Sequence, residues 1–139
     1  MPMSGKPGTS ELSDILLIAE HDNALRAALD FLLRVEGYRV RTIDSAEVLL
    51  SVPLPERDAC LVVDQDLPGL AGLAALEELR RRGVKLPMVL MAGHPQGMLP
   101  VLAPRAKIHL VEKPLYGGAL LGAISAALTA SRPPALRTV

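Results

Sequence analysis

Three apolar stretches in this chain run into residues that could do chemistry. Ile15-Leu16-Leu17-Ile18-Ala19 is followed by Glu20, His21 and Asp22. Ala59-Cys60-Leu61-Val62-Val63 is followed by Asp64 and Asp66, and Lys113 comes shortly after the run from Ile108 to Val111. If these ends meet, several carboxyl groups and one ammonium share a small crevice. Crowded carboxylates repel, and one is driven toward its protonated form unless a cation intervenes. A hard divalent ion held through oxygen, such as Mg²⁺, relieves that repulsion. A lysine opposite suits a phosphoryl group. The set points to phosphoryl chemistry with an acidic residue as nucleophile.

The elements that must position these residues alternate along the chain. The run from Ile15 reads as a strand buried on both faces. Asn23 to Glu36 reads as a helix with Leu25, Ala28, Leu29, Leu32 and Val35 on its inner face, closed by Gly37. Tyr38 to Ile43 alternates apolar and polar residues, as an edge strand does. Asp44 and Glu47 form an expected capping box for a helix through Leu50. Ala59 to Val63 is a third strand, and Leu73 to Arg82 a helix closed by Gly83. Pro87 to Met91 and Ile108 to Val111 are the fourth and fifth strands, and Leu120 to Leu128 is the last helix. Between the last two strands, Pro100 and Pro104 predict a short or irregular helix over Gly97 to Arg105. Strand and helix repeated in this way give an α/β fold, a parallel sheet with helices on both faces. Functional groups in such sheets gather at the carboxyl ends of the strands.

The 139 residues suffice for one domain. Residues 1–13 and 131–139 read as flexible tails around a domain at 14–130. Half of the residues are hydrophobic and only 2% aromatic, so the core is aliphatic and base-stacking surfaces are scarce. Lys+Arg and Asp+Glu both total 15, which gives no general pull toward nucleic acid or an anionic membrane. The run Arg80-Arg81-Arg82 reads as a solvated helix end, where cations suit the dipole. The lone Cys60 cannot form an internal disulfide and reads as a small buried hydrophobe. With no secretory signal and no long apolar run, a cytoplasmic location is expected. His94 is expected on a loop and His109 on a strand edge, neither with a function.

With these residues in view, a resemblance emerges. Ile18-Ala19-Glu20-His21-Asp22 resembles the acidic stretch that closes the first strand of response-regulator receiver domains. Leu61-Val62-Val63-Asp64-Gln65-Asp66-Leu67-Pro68-Gly69-Leu70-Ala71-Gly72 resembles the family's phosphorylation loop, where a strand ends in the acceptor aspartate. Glu112-Lys113-Pro114 resembles its lysine-proline pair, usually joined by a cis bond. The match covers roughly Ile15 to Leu128. The resemblance implies a doubly wound, flavodoxin-like sheet of five strands in the order 2-1-3-4-5. It implies that Asp64 accepts a phosphoryl group and that Lys113 contacts a phosphoryl oxygen. It further implies Mg²⁺ held by Asp64, by the backbone carbonyl of Asp66 and, through water, by Glu20. The implied partners are a histidine kinase or phosphotransfer protein and a downstream protein.

Three positions depart from the family pattern. His21 stands where the family has the aspartate that binds Mg²⁺ directly, and imidazole suits Zn²⁺ and other transition ions better. Ala92 replaces a Thr or Ser whose hydroxyl bonds the phosphoryl group. Leu110 replaces an aromatic switch residue. Three readings of His21 follow: an exposed histidine beside acids, an imidazolium paired with Asp64, or a transition-metal ligand. Asp22 could also reach an ion, although its backbone direction is unfavourable. Two functions follow for the chain. One is a stand-alone receiver in a phosphorelay. The other is a pseudo-receiver, a protein-interaction module that works without phosphorylation. A small α/β enzyme is disfavoured by the lack of a glycine-rich phosphate loop or nucleophile elbow.

Overall fold

A computed structural model of the chain describes residues 14–94, 97–113 and 118–132. The expected tails lie outside these residues except for Ser131, which ends the last helix, and Arg132, which pairs with Asp14 at 2.7 Å. Pro114 also lies outside them.

Five strands form one parallel sheet in the order β2-β1-β3-β4-β5: β1 Ile15–Ala19, β2 Arg39–Ile43, β3 Ala59–Asp64, β4 Met88–Ala92 and β5 Ile108–Glu112. Five helices connect and follow them: α1 Asn23–Val35, α2 Ala46–Ser51, α3 Gly72–Arg81, α4 Leu99–Arg105 and α5 Ala119–Ser131. The three central strands are buried on both faces, which is why they read as unbroken apolar runs. Alternate residues feed two cores. Leu17, Leu61, Val63 and Leu90 pack with α2, α3 and α4, while Leu16, Ile18, Val62 and Met91 pack with α1 and α5.

Register sets the site. Ala19 pairs with Val63 in the β1–β3 ladder, so the next residues, Glu20 and Asp64, emerge side by side. Asp64 is level with Met91, and Met91 with Val111, which brings the end of β5 to the same rim.

Several local expectations change. On α1 the inward residues are Leu29 and Leu33, with Leu25 partly buried. Ala28, Leu32 and Val35 face outward, with Val35 62% exposed. The helix carries apolar residues nearly all round, so periodicity places Leu25 and Leu29 correctly but takes in Ala28, Leu32 and Val35 and misses Leu33. The cap of α2 is Ser45, whose side chain accepts from the Val48 N–H, in place of the expected Asp44. Tyr38 precedes β2, its N–H closing the α1 terminus on Leu33. The proline-bearing segment forms the short helix expected of it, α4, of seven residues. Pro100 sits in its first turn, where a missing N–H costs nothing, and Pro104 lies next to its end.

Arg80 also departs from the expected solvated run. Arg81 and Arg82 do pair with Glu78 at the surface. Arg80 is instead half-buried and donates to the carbonyls of Val84, Leu86, Ala106 and Lys107. It ties the loop before β4 to the loop before β5.

Gly72 opens α3 directly beneath the site. A Cβ built there would lie 2.3 Å from the Asp64 carbonyl oxygen, which is backbone and cannot swing aside. Gly72→Ala is expected to cost about 2 kcal/mol by overpacking. Urea unfolding checks it, and an unchanged midpoint would show that the loop relaxes freely.

Candidate functional site

The β1–α1 turn is built by its own polar groups. Asp22 caps α1 through Leu25 N–H at 3.0 Å, which aims its carboxylate at the helix and away from the crevice. Its backbone N–H meanwhile donates to Glu20 Oε2 at 3.1 Å. Arg26 grips the Glu20 carbonyl at 2.8 Å. The loop after β3 is pinned by Gln65. Its N–H donates to the Met91 carbonyl, its carbonyl accepts from Gly72, and its side chain accepts from the Leu73 N–H. Gln65 thus caps α3 from outside, since Ala71 offers no side-chain cap. Sequence reasoning passed over it because the bond spans eight residues.

Glu20 and Asp64 are both fully buried, each with 0% exposure. Lys113 lies between them, with Nζ 3.1 Å from Glu20 Oε1 and 3.1 Å from Asp64 Oδ1. Its backbone N–H donates to the Ala92 carbonyl at 2.8 Å, which fixes the lysine at the rim. His21 takes the other oxygens: Nδ1 is 2.8 Å from Asp64 Oδ2 and 3.4 Å from Glu20 Oε2. Asp64 Oδ1 also accepts from the Asp66 N–H at 3.1 Å. The Asp66 side chain is exposed. Residues Glu20, His21, Asp64 and Lys113 therefore converge, and Asp22 and the Asp66 carboxylate stand outside.

Burial pushes the Asp64 carboxyl up, but the Asp66 N–H and contacts with Glu20, His21 and Lys113 outweigh it and hold the group below its ordinary 3.8. Glu20 goes the other way. Burial and the neighbouring Asp64 raise it above 4.5 despite the Asp22 N–H and Lys113. Burial would lower Lys113, but its two carboxylate partners hold it up. Two carboxyls driven apart in this way give one ionised acid and one that keeps its proton longer.

The signs for stability are opposite. Asp64, held low when folded, contributes stability above pH 3.8 that is lost as pH falls below it. Glu20, held high, binds its proton more tightly when folded, so its ionisation costs stability as pH rises from 4.5. Glu20→Gln is therefore expected to gain stability relative to the parent chain between pH 4.5 and 7. Urea midpoints at both pH values check this, and a relative loss on raising pH would reverse the assignment.

The two switch positions that the resemblance names are on β4 and β5. Ala92 ends β4, buried and level with Glu112, and Leu110 is half-buried, level with Leu90. His94 lies on the loop after β4 and His109 on the edge strand β5. Cys60 is buried on β3, its thiol pushed up to about 12 by burial and by Asp14, so it is unreactive. No helix among the described residues is long and apolar enough to cross a membrane.

Comparison with known proteins follows the same outline. Residues 16–125 match the family model of the response regulator receiver domain. The chain is 33% identical over 114 residues to the transcriptional regulatory protein FixJ of Azorhizobium caulinodans, covering 80% of this chain and 53% of that protein. It is 33% identical over 122 residues to the response regulator protein TodT of Pseudomonas putida, covering 86% and 53%. The chain thus spans about half the length of these relatives. Among solved structures, the response regulator StyR superposes with a TM-score of 0.79 at 31% identity, covering 86% of this chain and 61% of that one. The FixJ-N structure superposes with a TM-score of 0.75 at 26% identity, covering 84% and 94%.

Proposed function

This chain belongs to the response regulator receiver domain family of two-component signalling, and on that footing we propose that Asp64 accepts a phosphoryl group from a phosphohistidine. Receiver domains interact with histidine kinases or phosphotransfer proteins and act as signalling modules. The observation that carries the reading is the Lys113 ammonium 3.1 Å from both buried carboxylates.

The step uses groups already in place. The ionised Asp64 oxygen attacks phosphorus, and the phosphorus–nitrogen bond to the donor histidine breaks. The electron pair of that bond leaves with the imidazole nitrogen, which takes a proton from solvent. The product is an acyl phosphate on Asp64. Lys113 sits where it meets charge building on a phosphoryl oxygen, which is the main form of catalysis such transfers need. His21 Nδ1 stands 2.8 Å from Oδ2 on the other side of the carboxylate. Water is kept from the ground-state carboxylate by burial.

Receiver domains generally bind Mg²⁺ at an acidic pocket, for which the resemblance names Glu20, Asp64 and the Asp66 carbonyl in this chain. Mg²⁺ favours an all-oxygen octahedron. In this chain the donors that converge are two carboxylates and an imidazole nitrogen, so the set departs from that preference. The positive charge between the two carboxylates is that of Lys113.

A second reading has its own support. Ala92 lacks the hydroxyl and Leu110 the ring that would carry a phosphoryl signal outward, which favours a module that binds its protein partner without phosphorylation. A small phosphodonor such as acetyl phosphate, followed by intact mass, separates the two. One added phosphoryl group is the expected result. No adduct at any donor concentration, with partner binding unaltered, would favour the second reading.

A further inference from the structure

The pocket divides its ligand atoms into two sets. Lys113 uses Glu20 Oε1 and Asp64 Oδ1. His21 Nδ1 faces the opposite oxygens, Glu20 Oε2 and Asp64 Oδ2, and these three residues offer ligand atoms all within 4.8 Å of one another. From this division we infer that the site is selective for a borderline transition ion of the Zn²⁺ class over Mg²⁺, with Glu20 Oε2, Asp64 Oδ2 and His21 Nδ1 as ligands. The inference rests on reading this pocket as the charged site of the receiver.

Three features support it. The first is donor chemistry: zinc takes both imidazole nitrogen and carboxylate oxygen, whereas Mg²⁺ holds imidazole poorly. The second is spacing. Ligand atoms of a tetrahedral zinc site, about 2.0–2.2 Å from the ion, lie about 3.3–3.6 Å apart. Nδ1 is already 3.4 Å from Oε2 and 2.8 Å from Oδ2, so the second gap has only to open by a fraction of an ångström. The third is that an ion can enter without displacing the lysine, which holds the far oxygens and keeps both carboxylates turned as they are. The His21 side chain is 44% exposed, so it is the ligand that solvent reaches.

The test is calorimetric titration of the full chain with Zn²⁺ and with Mg²⁺, on the parent, His21→Asp, His21→Ala and the double variant His94→Ala/His109→Ala. Any site of this kind favours Zn²⁺ to some degree, so the ratio of the two affinities is the readout. His21→Asp restores an all-oxygen set and is expected to raise Mg²⁺ affinity, lower Zn²⁺ affinity and shrink the ratio at least about tenfold. His21→Ala is expected to weaken Zn²⁺ by at least as much, with its circular dichroism spectrum unchanged. The double variant is expected to keep the parent ratio. Equal ratios in the parent and His21→Asp would overturn the proposal, and so would zinc binding lost in the double variant alone. Phosphoryl uptake is read separately by mass with acetyl phosphate and Mg²⁺, so failure there with His21-dependent zinc binding intact removes only the acceptor reading.

Discussion

Asp64→Asn is expected to abolish phosphoryl uptake and leave the fold in place. The amide has the same shape as the carboxylate, so the β3 strand end and its Asp66 N–H contact have little reason to move. It has no anionic oxygen to attack phosphorus, so the loss is total rather than partial. The nearest other acid on the same loop, Asp66, presents its carboxylate to solvent and lacks the lysine that Asp64 holds at 3.1 Å. A variant that still gains a phosphoryl group on treatment with acetyl phosphate, while its circular dichroism spectrum matches the parent, would mean that another residue is the acceptor.

Lys113→Met is expected to be among the most destabilising single changes outside the apolar core. It leaves Glu20 and Asp64, both fully buried, facing each other without the ammonium between them. Removing one partner of a buried ion pair costs about 3 kcal/mol, because the remaining charge is uncompensated. Glu20, already held high by burial, then takes up a proton, which recovers part of the loss. Glu20→Gln is therefore expected to add more stability to the Lys113→Met chain than it adds to the parent. Such non-additivity is the signature of residues in contact. Urea unfolding of the four chains completes the cycle, and purely additive effects would show that the lysine does not bridge these carboxylates.

Much of this arrangement is legible in the amino-acid sequence, and the reasons are physical. β1, β3 and β4 are sealed on both faces, so burial writes itself into the chain as continuous apolar runs. Glu20 and Asp64 stand at the ends of such runs, Lys113 follows the edge strand β5, and parallel register carries all three to one rim. The inner face of α1 is harder to read, because Ala28, Leu32 and Val35 make an apolar stripe of their own beside Leu29 and Leu33. The role of Arg80 is invisible from its neighbours, since two of the carbonyls it grips belong to Ala106 and Lys107, on a loop brought near only by folding. Gln65 is hidden for a similar reason, as its side chain caps a helix that begins well beyond it. The one-residue shift from Asp44 to Ser45 as the α2 cap turns on where β2 ends, and both residue types cap well.

His21 is where the local pattern and the chain's own chemistry part. In sequence it is one substitution in an acidic stretch. In the fold it touches both buried carboxylates on the side away from the lysine.

The central claim is that Asp64 is the phosphoryl acceptor, and chemical trapping addresses it most directly. Borohydride reduces an acyl phosphate to an alcohol, so the acceptor aspartate is left as homoserine after treatment with a phosphodonor. Peptide mapping should find that conversion at residue 64 and nowhere else. Homoserine at Asp66, the longer hydroxynorvaline at Glu20, or a chain with neither product after complete donor exposure, would contradict the account.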